Sequence, residues 1–92
     1  MEKINKISVD QLCVHYSIET SFVYELDERG LIQLKRSGKQ TYIAYEHLTD
    51  LEKYMRLHYD LEINMEGIEA INHLLSKIKN LQNELKKLQN ES

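Results

Sequence analysis

Apolar residues fall along this chain in helical stripes, interrupted once by a stretch that alternates. Val9, Leu12, Cys13 and Tyr16 recur at i, i+3, i+4 and i+7, the signature of one helix face. Ser8 precedes them and Gln11 follows three residues later, which predicts a capping box in which two orphan backbone donors are satisfied reciprocally. A helix of about two turns cannot stand alone and must pack. After the tight link "YSIET" a second helix is expected from about Glu19 to Arg29. Its inward positions are Phe22, Val23 and Leu26; its outward positions are Ser21, Tyr24, Glu25 and Glu28. Gly30 follows, where a left-handed residue ends a helix.

In "LIQLKRSGKQTYIAY" the period changes to two. Ile32 and Leu34 alternate with polar residues, as do Thr41 and Ile43, and "SGK" lies between the two runs. This predicts a β-hairpin turning at glycine, with Lys35, Arg36 and Lys39 at its tip. A third helix is expected from about Glu46 to Leu61, with Leu48, Leu51, Tyr54, Met55, Leu57 and Leu61 as its apolar stripe. Asn64 then suits an N-cap and Glu66 the first turn of a new helix, while Ile63 and Ile68 have the spacing of a hydrophobic staple. Gly67, just inside that helix, costs up to about 1 kcal/mol relative to alanine and implies that something bulky passes close by. From there Ile71, Leu74, Ile78, Leu81, Leu85 and Leu88 repeat at spacings of three and four, an a/d heptad seam. So narrow a seam asks for a partner helix, and a second copy of the chain is the expected one. The expected organisation is a small domain over residues 1–63 and a dimerisation helix over 64–92.

Composition narrows the function. Ninety-two residues make one domain at most, with a core that is only marginally stable alone. The absence of proline and the presence of only three glycines suit a mainly helical chain with few turns. No apolar run approaches a membrane span, and the first residues lack the apolar stretch of a signal peptide, so a cytoplasmic location is expected. The net charge is −3; residues 1–40 carry six basic and six acidic side chains, and residues 41–92 carry six and nine. Nucleic-acid-binding domains are usually more basic than either part.

The candidate chemistry is thin. His58, Asp60 and His73 lack the tight ligand spacing of a structural zinc site. Cys13 lies on an inward helix face, where cysteine behaves as a small hydrophobe. There is no serine elbow and no phosphate-cradling glycine loop. The expectation is a non-enzyme without cofactor or metal.

The order helix, turn, helix ending in glycine, hairpin, helix, corner and long helix is more specific. With "ISVDQLCVHYSIETSFVYELDERGLI" and the hairpin after it, the chain resembles the MerR family. The resemblance implies a mainly α fold: a winged helix-turn-helix with a small β-hairpin wing, then a helix and a C-terminal coiled-coil-like dimerisation helix. It also implies a second helix that reads DNA with arginines near its start and middle. Ser21 and Tyr24 stand at the matching positions here, with Glu25 and Glu28 on the same face. Carboxylates there oppose phosphate binding.

The stretch "LEKYMRLHYDLEINMEGIEAINHLLSKIKNLQNEL" is similar to the chaperone-modulator family called CbpM, including the Gly67-Ile68 pair at the corner. This resemblance implies a partner: the J-domain of a DnaJ-like co-chaperone of the CbpA type, kept from acting with Hsp70. The J-domain presents a basic helix. The expected contact surface is acidic with an aromatic anchor: Glu19, Ser21, Tyr24, Glu25, Asp27 and Glu28. A second candidate surface is Arg56, His58, Tyr59 and Asp60, near the corner, whose simpler reading is packing of the joint. The alternative is a MerR-like transcription regulator holding phosphates weakly with Lys35, Arg36 and Lys39.

Overall fold

The structure is a computed structural model that describes residues 5–91. In chain order it consists of β1 (Lys6–Ser8), α1 (Val9–Tyr16), α2 (Thr20–Glu28), β2 (Leu34–Ser37), β3 (Gln40–Ala44), α3 (Leu48–Met55) and α4 (Met65–Glu91). A 3-10 turn, Tyr45–His47, leads into α3, and a π-turn, Arg56–Asp60, leads out of it.

The alternation read as a hairpin is part of a three-stranded antiparallel sheet ordered β1-β3-β2. The sequence pattern did not announce β1: three residues are too few for a period, and only pairing with β3 makes them a strand. Ile7, Ile43 and Leu34 stand opposite one another across the sheet and face the core. Gly38, at φ 64°, is the first residue of the two-residue turn between Ser37 and Gln40, where a left-handed conformation matches the strand twist.

Ser8 caps α1 by accepting a hydrogen bond from the Gln11 backbone N–H at 3.1 Å. Among the described residues the Gln11 side chain makes no return bond, so only half of the expected capping box forms; Ser8 is already paired opposite Tyr42 in the sheet. Ser17, at φ 57°, closes α1 in the left-handed conformation, and its N–H donates to Cys13 O. Gly30, at φ 76°, does the same after α2.

The core joins Val9, Leu12 and Cys13 of α1 with Phe22, Val23 and Leu26 of α2, Ile32, Ile43, Leu51 and Tyr54, and Met65 and Ile68 of α4. The first turn of α4 is therefore part of the domain core. Tyr54 ties the two parts further: its hydroxyl lies 3.0 Å from Asn72 Oδ1. The third helix differs from expectation. It widens at Arg56–Asp60, and Leu61, assigned to its inward stripe, is 64% exposed. The π-turn changes the angular step per residue, so residues beyond it leave the stripe that regular 3.6-residue spacing extrapolates.

At the corner Asn64 Oδ1 accepts the Gly67 N–H at 2.8 Å, the expected N-cap bond, and Ile63 and Ile68 share the core cluster. Gly67 is explained by contact: a Cβ there would lie 2.6 Å from Ile63 Cγ2. Beyond Asn72, α4 leaves the domain.

Candidate functional site

The outward face of α2 forms an open groove of about 510 Å³ with Ser21, Tyr24, Glu25, Glu28 and Arg29 around it. Phe22, Val23 and Leu26 bury the opposite face, which is why these side chains point out. Tyr24 is half-exposed. Glu28 is exposed and has no polar partner among the described residues.

Arg29 organises the end of this groove. Its Nε lies 3.1 Å from Glu25, its Nη2 3.1 Å from Glu66 and its Nη1 2.9 Å from Glu69. Three carboxylates against one guanidinium leave the cluster negative and tie the C-terminal end of α2 to the first turns of α4. The Glu25–Arg29 spacing is legible in sequence as an i,i+4 pair; the contacts to Glu66 and Glu69 bridge residues far apart in the chain and are not. Glu25 is thus half-exposed yet ion-paired. Asp27, grouped in the sequence with the outward acids, turns to the wing: its Oδ1 accepts the Leu34 N–H at 3.1 Å and anchors β2 to α2. Glu19 sits at the N-cap of α2 without a side-chain cap bond; its carboxylate accepts from the Ser21 hydroxyl at 3.4 Å.

The Glu66 carboxyl is held below its ordinary value, first by its own backbone N–H at the start of α4 and then by the Arg29 guanidinium. A carboxyl lowered by folding stabilises the fold above its unfolded value of 4.5 and loses that contribution as pH falls through the lowered folded value. Arg29→Met removes the partner. The gap in melting temperature between wild type and Arg29→Met is therefore expected to be open near neutral pH and to narrow as pH drops below 4.5, read by circular dichroism. A gap independent of pH would assign the effect to packing.

The second candidate surface divides. His58 stacks on Phe22 with ring centroids 4.8 Å apart, and its Nδ1–H donates to Ile63 O at 3.0 Å. It is a joint residue that fastens the corner to α2. Tyr59 packs edge-on against Phe22, and its hydroxyl lies 3.5 Å from the Glu19 backbone N–H. Arg56, Tyr59 and Asp60 are exposed at one side of a cleft of about 470 Å³, across which stand Tyr16 and Ile18. The Tyr16 hydroxyl donates to Glu52 Oε1 at 2.9 Å, which with burial raises its pKa.

The wing residues Lys35, Arg36 and Lys39 are all exposed, but Lys35 and Arg36 are neighbours on β2 and point to opposite faces. Lys35 stands opposite Tyr42, over whose ring the Lys6 ammonium lies at 4.5 Å from the centroid. Cys13 is buried, and burial, with Asp10 adding to it, pushes its thiol up, away from the thiolate a nucleophile needs. Among the described residues no three His, Cys, Asp or Glu side chains are grouped to hold a metal.

On α4 the seam residues Leu74, Ile78, Leu81, Leu85 and Leu88 are 50–65% exposed, and Ile71 is half-buried at the domain edge. No helix among the described residues is long and apolar enough to cross a membrane.

A helix-turn-helix with an antiparallel sheet as its wing and a long helix leaving the far side defines a winged helix-turn-helix protein. Residues 7–90 match the family model of MerR HTH family regulatory proteins, and the chain belongs to that family. No curated protein matches the sequence closely enough to be counted a relative.

Proposed function

We propose that this chain is a protein-binding member of its family: a dimeric chaperone modulator that docks the basic helix of a J-domain in the α2 groove and keeps it from Hsp70. The observation that carries the reading is the sign of the charge on α2. Its outward face offers Tyr24 and Glu28, which is unpaired among the described residues, and the Arg29 guanidinium there is already shared by three carboxylates. DNA affinity rests on cations that neutralise phosphates, and this face repels them. A cationic helix meets complementary charge with an aromatic anchor at its centre, the composition of a binding hot spot.

Glu28 is the residue to change, because Glu25 also serves Arg29 within the fold. Titration of the full-length protein with a purified J-domain should show Glu28→Lys and Tyr24→Ala each weakening binding about tenfold, a loss near 1.4 kcal/mol. Unchanged affinity in both variants would remove the groove from the interface. A MerR-like DNA-binding role is the second reading, favoured by the exposed wing cations; retention on duplex DNA with a steep salt dependence would support it.

The dimer is part of the proposal. The exposed stripe on α4 runs for most of a helix about 40 Å long. Charge on its flanks selects the direction of pairing. Laid antiparallel with full overlap, Ile71 meets the partner's Leu88, Leu74 the partner's Leu85 and Ile78 the partner's Leu81. That register sets Lys77 beside the partner's Glu84 and Glu84 beside the partner's Lys77, both pairs on the same flank. A parallel pair sets Lys77 beside the partner's Gln82 and gains no ion pair. The antiparallel arrangement is therefore the one the flanking charges favour.

A further inference from the structure

The cleft at the opposite end of α2 from Arg29 has a lining that the groove reading does not use. We infer that it takes a lysine or arginine side chain from the same basic partner. The inference rests on the reading that the partner is a cationic polypeptide, and it adds a second contact point with its own chemistry.

A long cationic side chain needs an apolar track for its stem and carboxylates for its head. The cleft has both. Ile18 and Met55 supply apolar lining, the rings of Tyr16 and Tyr59 stand beside them, and Glu52 and Asp60 bring carboxylates to it. The Tyr16 hydroxyl holds one oxygen of Glu52, which fixes that carboxylate in place. Asp60 is exposed and has no polar partner among the described residues. Tyrosine faces add cation–π attraction for an ammonium or guanidinium. The cleft is also joined to the α2 groove. The Ser21 hydroxyl donates to the Glu19 carboxylate, and the Glu19 N–H points at the Tyr59 hydroxyl. The two surfaces thus form one path around the start of α2, and a single basic segment can touch both.

Arg56 makes the inference falsifiable by sign. It lies four residues after Glu52 and four before Asp60, beside the cleft, and forms no ion pair among the described residues. For a cationic occupant Arg56 is the competitor. For an anionic occupant it would be the main attraction.

The test uses the full-length protein titrated with a helical alanine–lysine peptide, followed by calorimetry and by NMR of the tyrosine rings. Asp60→Lys and Glu52→Gln are expected to weaken binding, Asp60→Lys by about tenfold, and Arg56→Gln to tighten it about threefold, with Tyr16 and Tyr59 ring signals shifting on titration. Weaker binding in Arg56→Gln overturns the inference, since the cleft would then prefer an anion. Loss in Glu28→Lys with no change in the cleft variants overturns it and leaves the groove reading standing. Loss in the cleft variants with no change in Glu28→Lys keeps the cleft and removes the groove. A wild-type protein that does not bind the peptide overturns the cleft inference, while the J-domain titration still judges the groove.

Discussion

Leu81→Glu should convert the proposed dimer to a monomer. In the proposed antiparallel register Leu81 would pack against the partner's Ile78 next to the two-fold axis, so the substitution would place two carboxylates, one from each chain, in adjacent layers at the middle of the interface. Each loses water without gaining a partner, and the two repel. A rise in the dimer dissociation constant of at least about a hundredfold, near 3 kcal/mol, is expected. Sedimentation equilibrium measures it directly. Helicity should fall as well, because the apolar stripe of the exposed part of α4 is uncovered among the described residues and most helical stability comes from packing of such a face. The direction of pairing has its own readout. Lys77→Glu should weaken the dimer, and adding Glu84→Lys should restore it. Parallel helices would show no such rescue, since Lys77 would then face the partner's Gln82. A wild type that sediments as a monomer at high concentration would refute the pairing altogether.

Gly67→Ala should destabilise the domain by about 2 kcal/mol, although alanine is the better helix former by about 1 kcal/mol. The added Cβ meets Ile63 Cγ2 at 2.6 Å and the capping Asn64 Oδ1 at 3.2 Å. Neither yields easily. Ile63 is β-branched, packs on the core, and its N–H donates to Leu57 O at 2.9 Å. The residue before it, Glu62, is already in the left-handed region at φ 55°, which leaves that backbone little freedom. Movement of Asn64 would break the N-cap bond to residue 67 itself. For a chain of this size the melting temperature should drop by about 10 °C. A double-mutant cycle identifies the cause: Ile63→Ala with Gly67→Ala should lose clearly less than the two changes summed. Higher stability in Gly67→Ala alone would mean that Ile63 relaxes and helix propensity wins.

The periodic parts of the fold were legible because each records a local rule. The inward faces of α1 and α2 follow the 3.6-residue period, the turn at Gly38 and the stop at Gly30 follow from positive φ, and the corner was marked by the cap Asn64 and the odd placement of Gly67. The misses are cases where a residue outside the element decided, or where the helix departed from its regular period. β1 is a strand only because β3 lies beside it. Asp27 left the outward acidic face because the Leu34 N–H needed an acceptor. Leu61 left the stripe because the helix widened at Arg56–Asp60.

The same division holds for the candidate site. Sequence alone determined the charge on the α2 face, the presence of Tyr24 there, and the apolar seam of α4, because helix geometry sorts residues into faces without knowledge of what packs where. Tertiary structure alone decided which acids stay available to a partner. It placed Arg29 among Glu25, Glu66 and Glu69, left Glu28 without an ion pair among the described residues, turned His58 into a packing residue on Phe22, and joined groove to cleft through Glu19 and Tyr59. Those contacts join residues brought together only when the chain folds, and no local pattern encodes their distances.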